Sequence, residues 1–167
     1  MTALDLDNPF WHFSLKVYQA PGVSEECLRA QDELSIDVNV LLYAAWLGAV
    51  QGIALDTGAV ASIEKALGQW SAAVVKPLRA VRRGLKERPD IAEPSIKTTR
   101  SRVAEIELFA EQVEQAMLHR MTNGFGQPGQ GSSALAQKNI RSVLAAHGAD
   151  ASAFPLTKLL AASSACD

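Results

Sequence analysis

Apolar side chains recur along this chain three and four residues apart, and no segment alternates with the period of two that a half-buried strand needs. The pattern predicts an all-α fold, a single-domain bundle of six to eight helices over residues 1–167 around a buried central helix. Asn8-Pro9 supplies a cap and then a proline in the first turn, where its missing N–H costs nothing. In the helix that follows, Phe10, Phe13 and Val17 form one apolar face and Trp11, Leu15 and Tyr18 an adjacent one, before Pro21-Gly22 ends it. Ser24 is the expected cap of a second helix. Its Glu25 and Glu26 complement the positive end of the dipole, and Cys27, Leu28, Gln31 and Leu34 form its inner stripe. Val38 to Gln51, capped by Asp37, is apolar on nearly every side, which predicts a rod enclosed by other helices. Within it Ala44, Ala45, Gly48 and Ala49 are small enough to admit a close neighbour.

A longer pattern follows Asp56-Thr57-Gly58 and runs to Arg88, with Ile63, Leu67, Trp70, Val74, Leu78, Val81 and Leu85 on a helical period. Pro77 interrupts it, and should kink or split the helix one turn upstream, near Ala73. Beyond a connector containing Arg88-Pro89-Asp90 and Glu93-Pro94, Ser95 to Thr122 reads as one long helix. Its expected seam is Val103, Ile106, Ala110, Val113, Met117 and Met121. Residues 123–133, NGFGQPGQGSS, are glycine-rich and polar and predict a mobile loop. Ser133 to His147 forms the next helix, closed by Gly148, and Pro155 opens a short C-terminal helix and tail over residues 155–167.

Composition narrows the class. A hydrophobic content of 48% with two cysteines excludes a disordered chain and a disulfide scaffold. Sixteen Lys plus Arg against eighteen Asp plus Glu leave a charge of −2, so bulk charge does not point to nucleic acid. The first residues, MTALDLDNPF, are acidic where a signal peptide would be basic. The apolar stretch from Val38 to Leu55 is broken by Asn39, Gln51 and two glycines, which argues against a transmembrane segment. Cys27 and Cys166 belong to no C-x-x-C pair, so a reducing, cytoplasmic location is the expectation.

Charge is uneven although its sum is small. At 100° per residue Lys76, Arg79, Arg82, Arg83 and Lys86 fall on one side of a helix, opposite Val74, Leu78, Val81 and Leu85. Arginine forks suit carboxylate and phosphate, so this face is a candidate for an anionic ligand or an acidic protein partner. The following helix carries Glu105, Glu107, Glu111 and Glu114 and would pack antiparallel, which makes internal pairing the competing reading. The first 37 residues hold Asp5, Asp7, Glu25, Glu26, Asp32, Glu33 and Asp37 against Lys16 and Arg29, an asymmetry that suggests an internal clasp or a homodimer. The basic stretch has no interleaved aromatic and no helix-turn-helix pattern beside it, which weighs against nucleic acid.

Trp11, Trp46 and Trp70 stand on three helices, and Gln31 and Asn39 fall among apolar neighbours. Together they make a candidate pocket, with plain core packing as the alternative. Gly124, Gly126 and Gly129 satisfy G-x-G-x-x-G, but they follow a helix rather than a strand and lack the βαβ unit that makes the motif hold a pyrophosphate. Glu111, Glu114 and His119 miss the Glu-x-x-His spacing of a di-metal bundle, and His12 and His147 have no ligand-spaced partners, so neither metal nor cofactor is expected. No nucleophile elbow, Cys-His pair or P-loop identifies a catalytic residue.

Asn8-Pro9-Phe10-Trp11-His12-Phe13 with Tyr18, Pro21-Gly22-Val23, Cys27-Leu28 and Asp37-Val38-Asn39 before Leu41-Leu42 form one set of distinctive words. Trp46-Leu47-Gly48 and Trp70 followed by Lys76-Pro77-Leu78-Arg79 and Arg82-Arg83 continue it. The set resembles a family of short all-helical bacterial proteins of unknown function, over roughly residues 8–120. The resemblance implies a small helical protein of the bacterial cytoplasm and supplies no catalytic residues. Three function classes follow from the residues. The first is a non-enzymatic binding or adaptor protein using the basic face. The second is a pocket protein for an apolar or amphipathic small molecule. The third is an enzyme of unfamiliar type with Asp37 or a seam-flanking glutamate as acid or base.

Overall fold

The computed structural model describes residues 3–88 and 90–165, apart from the side chain of Glu87. Pro89 of the expected connector and Cys166 in the tail lie outside the described residues. The described residues form α-helices without strands: α1 (Pro9–Tyr18), α2 (Val23–Leu34), α3 (Val38–Ala49), α4 (Thr57–Trp70), α5 (Lys76–Gly84), α6 (Glu93–Met121), α7 (Ser133–Ala146) and α8 (Thr157–Ser164). α4 and α5 are continuous through a π-helical turn at Ser71–Val75, so the eight segments make seven rods among the described residues. That turn is the response to Pro77. A ring at this position denies the helix one N–H and crowds the carbonyl of Ala73, and a wider turn immediately upstream relieves both.

Helix starts follow local chemistry. The buried Asn8 caps α1 by accepting the Trp11 N–H at 3.0 Å, and Asp37 caps α3 through the Asn39 N–H at 2.9 Å. α2 departs from expectation: it begins at Val23 behind Gly22, whose φ of +81° occupies the cap position, and the Ser24 hydroxyl turns to Glu25 instead. α8 is capped from a distance, its Lys158 and Leu159 N–H groups donating to the Glu26 carboxylate at 3.0 Å.

α3 is the enclosed rod that its sequence predicts, with every residue from Asn39 to Ala49 buried. α7 lies directly against it. A methyl group on Gly48 would stand 2.4 Å from the backbone nitrogen of Ala136, so only glycine permits this approach. The glycine-rich segment runs along the end of the same rod: Gly129 N–H donates to Gln51 O at 2.8 Å and Ser132 N–H to Gly48 O at 2.9 Å. Phe10, Tyr43 and Trp46 form the aromatic centre of the core, with ring centroids 5.2 and 5.3 Å from Phe10.

α6, about 44 Å long at 1.5 Å per residue, is rotated from the seam that spacing suggests. Ile106 is 55% exposed, whereas Glu107, Ala110, Glu114, Gln115 and Leu118 face inward. Glutamates occupy the inward positions because arginines of α5 and an asparagine of α3 meet them there. Among the described residues no helix is long and apolar enough to cross a membrane.

Candidate functional site

A cleft of about 320 Å³ opens among α1, α2, α3, α5 and α6. Its apolar wall includes Trp11, Leu15, Tyr18, Leu28, Val38 and Leu108. Leu15, Leu28 and Leu108 are 37%, 42% and 51% exposed, so apolar surface gathers at one mouth. The floor is polar: Ser14, Asp37, Asn39 and Gln115, with Gln31, Arg79, Glu107 and Glu111 along one side. The second face of α1, Trp11 with Leu15 and Tyr18, is therefore the face that borders the cleft, while Phe10, Phe13 and Val17 enter the core.

The arginines on this side are engaged. Arg79 donates from Nε to Glu107 at 3.1 Å, and from its two terminal nitrogens to Gln31 and Glu111 at 2.6 Å each. Arg82 adds a second pair to Glu107, through a short bond from Nε and one at 3.2 Å from a terminal nitrogen. Arg83 reaches Asp32 at 3.5 Å on the surface, and Lys76 and Lys86 are exposed. Burial acts to raise Glu107, but bonds from Arg82 and Arg79 outweigh it and hold its pKa below the ordinary value. Glu111 goes the other way, because its burial outweighs the help of Arg79.

Deeper in, Asn39 organises a second group. Its side-chain N–H donates to Glu114 at 2.7 Å and its carbonyl accepts from the Gln115 amide at 2.8 Å. Glu114 is wholly buried, and burial followed by the nearby charge of Asp37 pushes it up to about 8. Asp37 is raised as well, by burial against the opposing help of the Asn39 N–H and of Arg79. Three buried atoms here have no hydrogen-bond partner among the described residues: Ser14 Oγ, Glu114 Oε1 and Gln115 Oε1. Ser14 and Gln115 line the cleft, and Glu114 lies one hydrogen bond behind it on Asn39.

Gln31, Asp37 and Arg79 also border a cavity of about 360 Å³ that includes Lys76, Glu64 and His147. There His147 donates from Nδ1 to the Leu34 carbonyl at 3.1 Å and sets Nε2 2.5 Å from Glu64. Among the described residues no group of three or more His, Cys, Asp or Glu is arranged to hold a metal ion. Cys27 is buried, and that burial pushes its thiol up to about 12, so it is a packing residue rather than a nucleophile.

Of the residues singled out from sequence, the cleft unites Trp11, Gln31 and Asn39 with Arg79, Arg82 and Arg83. Trp46 lies in the core beside His119, and Trp70 donates its indole N–H to the Ala110 carbonyl at 3.0 Å. Lys76 borders the neighbouring cavity instead. Sequence reasoning did not single out Ser14 or Gln115. Ser14 sits between the two apolar faces of α1, and Gln115 follows Glu107 and Glu111 by eight and four residues, so it shares their face once α5 and α3 turn that face of α6 inward.

No curated protein and no solved structure matches the chain. Residues 9–118 match a family described as a protein of unknown function, DUF2390, and this span contains every residue named above as lining the cleft. The chain belongs to that family of unknown function, DUF2390.

Proposed function

We propose that this protein binds a small amphipathic molecule in the cleft among α1, α2, α3, α5 and α6. The observation that carries the reading is the pairing of an exposed apolar mouth with a floor of buried polar atoms that have no partner among the described residues. Buried polar atoms are nearly always satisfied, and leaving one unpaired costs about 1–3 kcal/mol. A ligand with a polar end and an apolar body answers both halves of the cleft. Its volume falls at the lower end of the range usual for ligand sites. An anionic or acidic partner at Lys76, Arg79, Arg82, Arg83 and Lys86 is less well supported, because Arg79 and Arg82 already hold Glu107 and Glu111.

A second reading, acid or base chemistry at Asp37, draws on the raised carboxyls of Asp37 and Glu114 in the same place. Binding comes first, since either reading requires it. Native and denaturing mass spectra of the protein gently purified from its own host test the proposal. The expected result is a one-to-one adduct that disappears on denaturation and is diminished in Leu108→Trp, where an indole narrows the mouth. Adduct-free protein that also takes up none of octylammonium, octanol and octanoate overturns it.

A further inference from the structure

The cleft's polar floor is unbalanced in charge and in hydrogen bonding, and both imbalances have the same sign. Four carboxyls converge there: Asp37, Glu107, Glu111 and Glu114. The nearby guanidinium groups are committed, Arg79 to Glu107 and Glu111, Arg82 to Glu107, and Arg83 to Asp32. Among the described residues neither Asp37 nor Glu114 has an ion-pair partner within 4.0 Å. Asp37 spends one oxygen on its own helix cap, and Glu114 receives one bond from Asn39.

Each of the unpaired atoms is able to accept. Gln115 Oε1 can only accept, Glu114 Oε1 accepts when its carboxyl is ionised, and the Ser14 hydroxyl accepts as well as donates. Gln115 is 4% exposed and Ser14 2%, so open solvent does not serve them, yet both border the cleft. A buried carboxylate needs a counter-charge or a proton. A primary ammonium has three donors and no acceptor, and each of these unpaired atoms can accept from it. Trp11 and Tyr18 line the same cleft, and aromatic rings attract cations.

Building on the reading of the cleft as a site for an amphipathic molecule, we infer that its ligand is an organic cation. It is a primary amine with an apolar body, whose ammonium group sits against Asp37, Asn39 and Gln115 and whose body lies along Leu15, Leu28 and Leu108. With the cation bound, Glu114 gives up its proton to solvent and, from behind Asn39, supplies negative charge that a neutral ligand cannot use.

Isothermal titration at pH 8 with n-octylammonium, n-octanol and octanoate, all below their micelle concentrations, separates this inference from the reading beneath it. The expected result is octylammonium binding at least tenfold tighter than octanol or octanoate. In Glu114→Gln that advantage of octylammonium over octanol should shrink at least tenfold. Asp37→Asn, which keeps a capping side chain for α3, provides the same comparison if Glu114→Gln does not fold by circular dichroism. Octanol binding as tightly as octylammonium overturns the cation inference and leaves the amphipathic cleft standing. Octanoate binding tightest overturns it in favour of the arginines. No binding by any of the three overturns both.

Discussion

The two sides of α3 solve the problem of burying polar groups in opposite ways. On the side facing α7, Asn139 is wholly buried and saturated with main-chain partners. It accepts from Leu55 N–H at 2.8 Å and donates to Ala44 O at 3.1 Å and Ile53 O at 2.8 Å. These partners are all neutral main-chain groups, and Gly48 lets the two backbones close upon one another. On the side facing α6, Asn39 is buried as well, but its partners are the side chains of Glu114 and Gln115, each with one oxygen left over. The first arrangement is closed and serves the fold. The second is open toward a cleft, and its incompleteness is what marks it as a site.

Breaking the closed side should cost most. Asn139→Ala strands one N–H and two carbonyls, and a loss of about 3–5 kcal/mol is expected in urea unfolding. Gly48→Ala drives a methyl group into the Ala136 backbone, which no side-chain rotation relieves. About 3 kcal/mol is expected by the same measurement.

The open side should respond to pH instead. Glu114 ionises near 4.5 in the unfolded chain but keeps its proton to about 8 in the fold, so folding takes up a proton between those values. Its contribution is fully present below about 4.5 and is lost as pH rises through about 8. Wild-type stability should fall by about 3 kcal/mol between pH 5 and pH 8. Glu114→Gln should flatten that slope while Asn139→Ala leaves it unchanged; equal slopes in wild type and Glu114→Gln would remove the contrast between the two sides. The smallest effect belongs to the rim. Arg83→Ala breaks an exposed contact to Asp32 and should change stability by less than about 0.5 kcal/mol.

Much of the fold was legible in the sequence. Asn8-Pro9, Asp37 and the largely apolar run after Asn39 announce helix starts and an enclosed rod, and Pro77 announces the widened turn at Ser71–Val75. These are local signals, carried by residues within one turn of what they determine. The register of α6 was not legible. Its apolar spacing favours Ile106 and Val113, but ion pairs with α5 turn Glu107 and Glu111 inward, a tertiary effect that periodicity cannot register.

The candidate site was therefore read in fragments. The basic residues, the polar pair Gln31 and Asn39, and Trp11 were each visible as separate features. That Arg79 donates to Gln31 while Asn39 meets Gln115 depends on α6 crossing both α3 and α5, which no single segment encodes. Trp46 and Trp70 looked equivalent to Trp11 in sequence but serve a dry core and a backbone carbonyl, because exposure to a cleft is a property of the packed helices.

Side-chain amide resonances test the account most directly, since each of the two sides of α3 carries its own reporter. With n-octylammonium titrated into uniformly nitrogen-labelled protein, the NH₂ signals of Asn39 and Gln115 should move in proportion to occupancy, and those of Asn139 should stay in place. Shifts confined to Asn139, or none at Asn39 and Gln115 at saturation, would contradict the account.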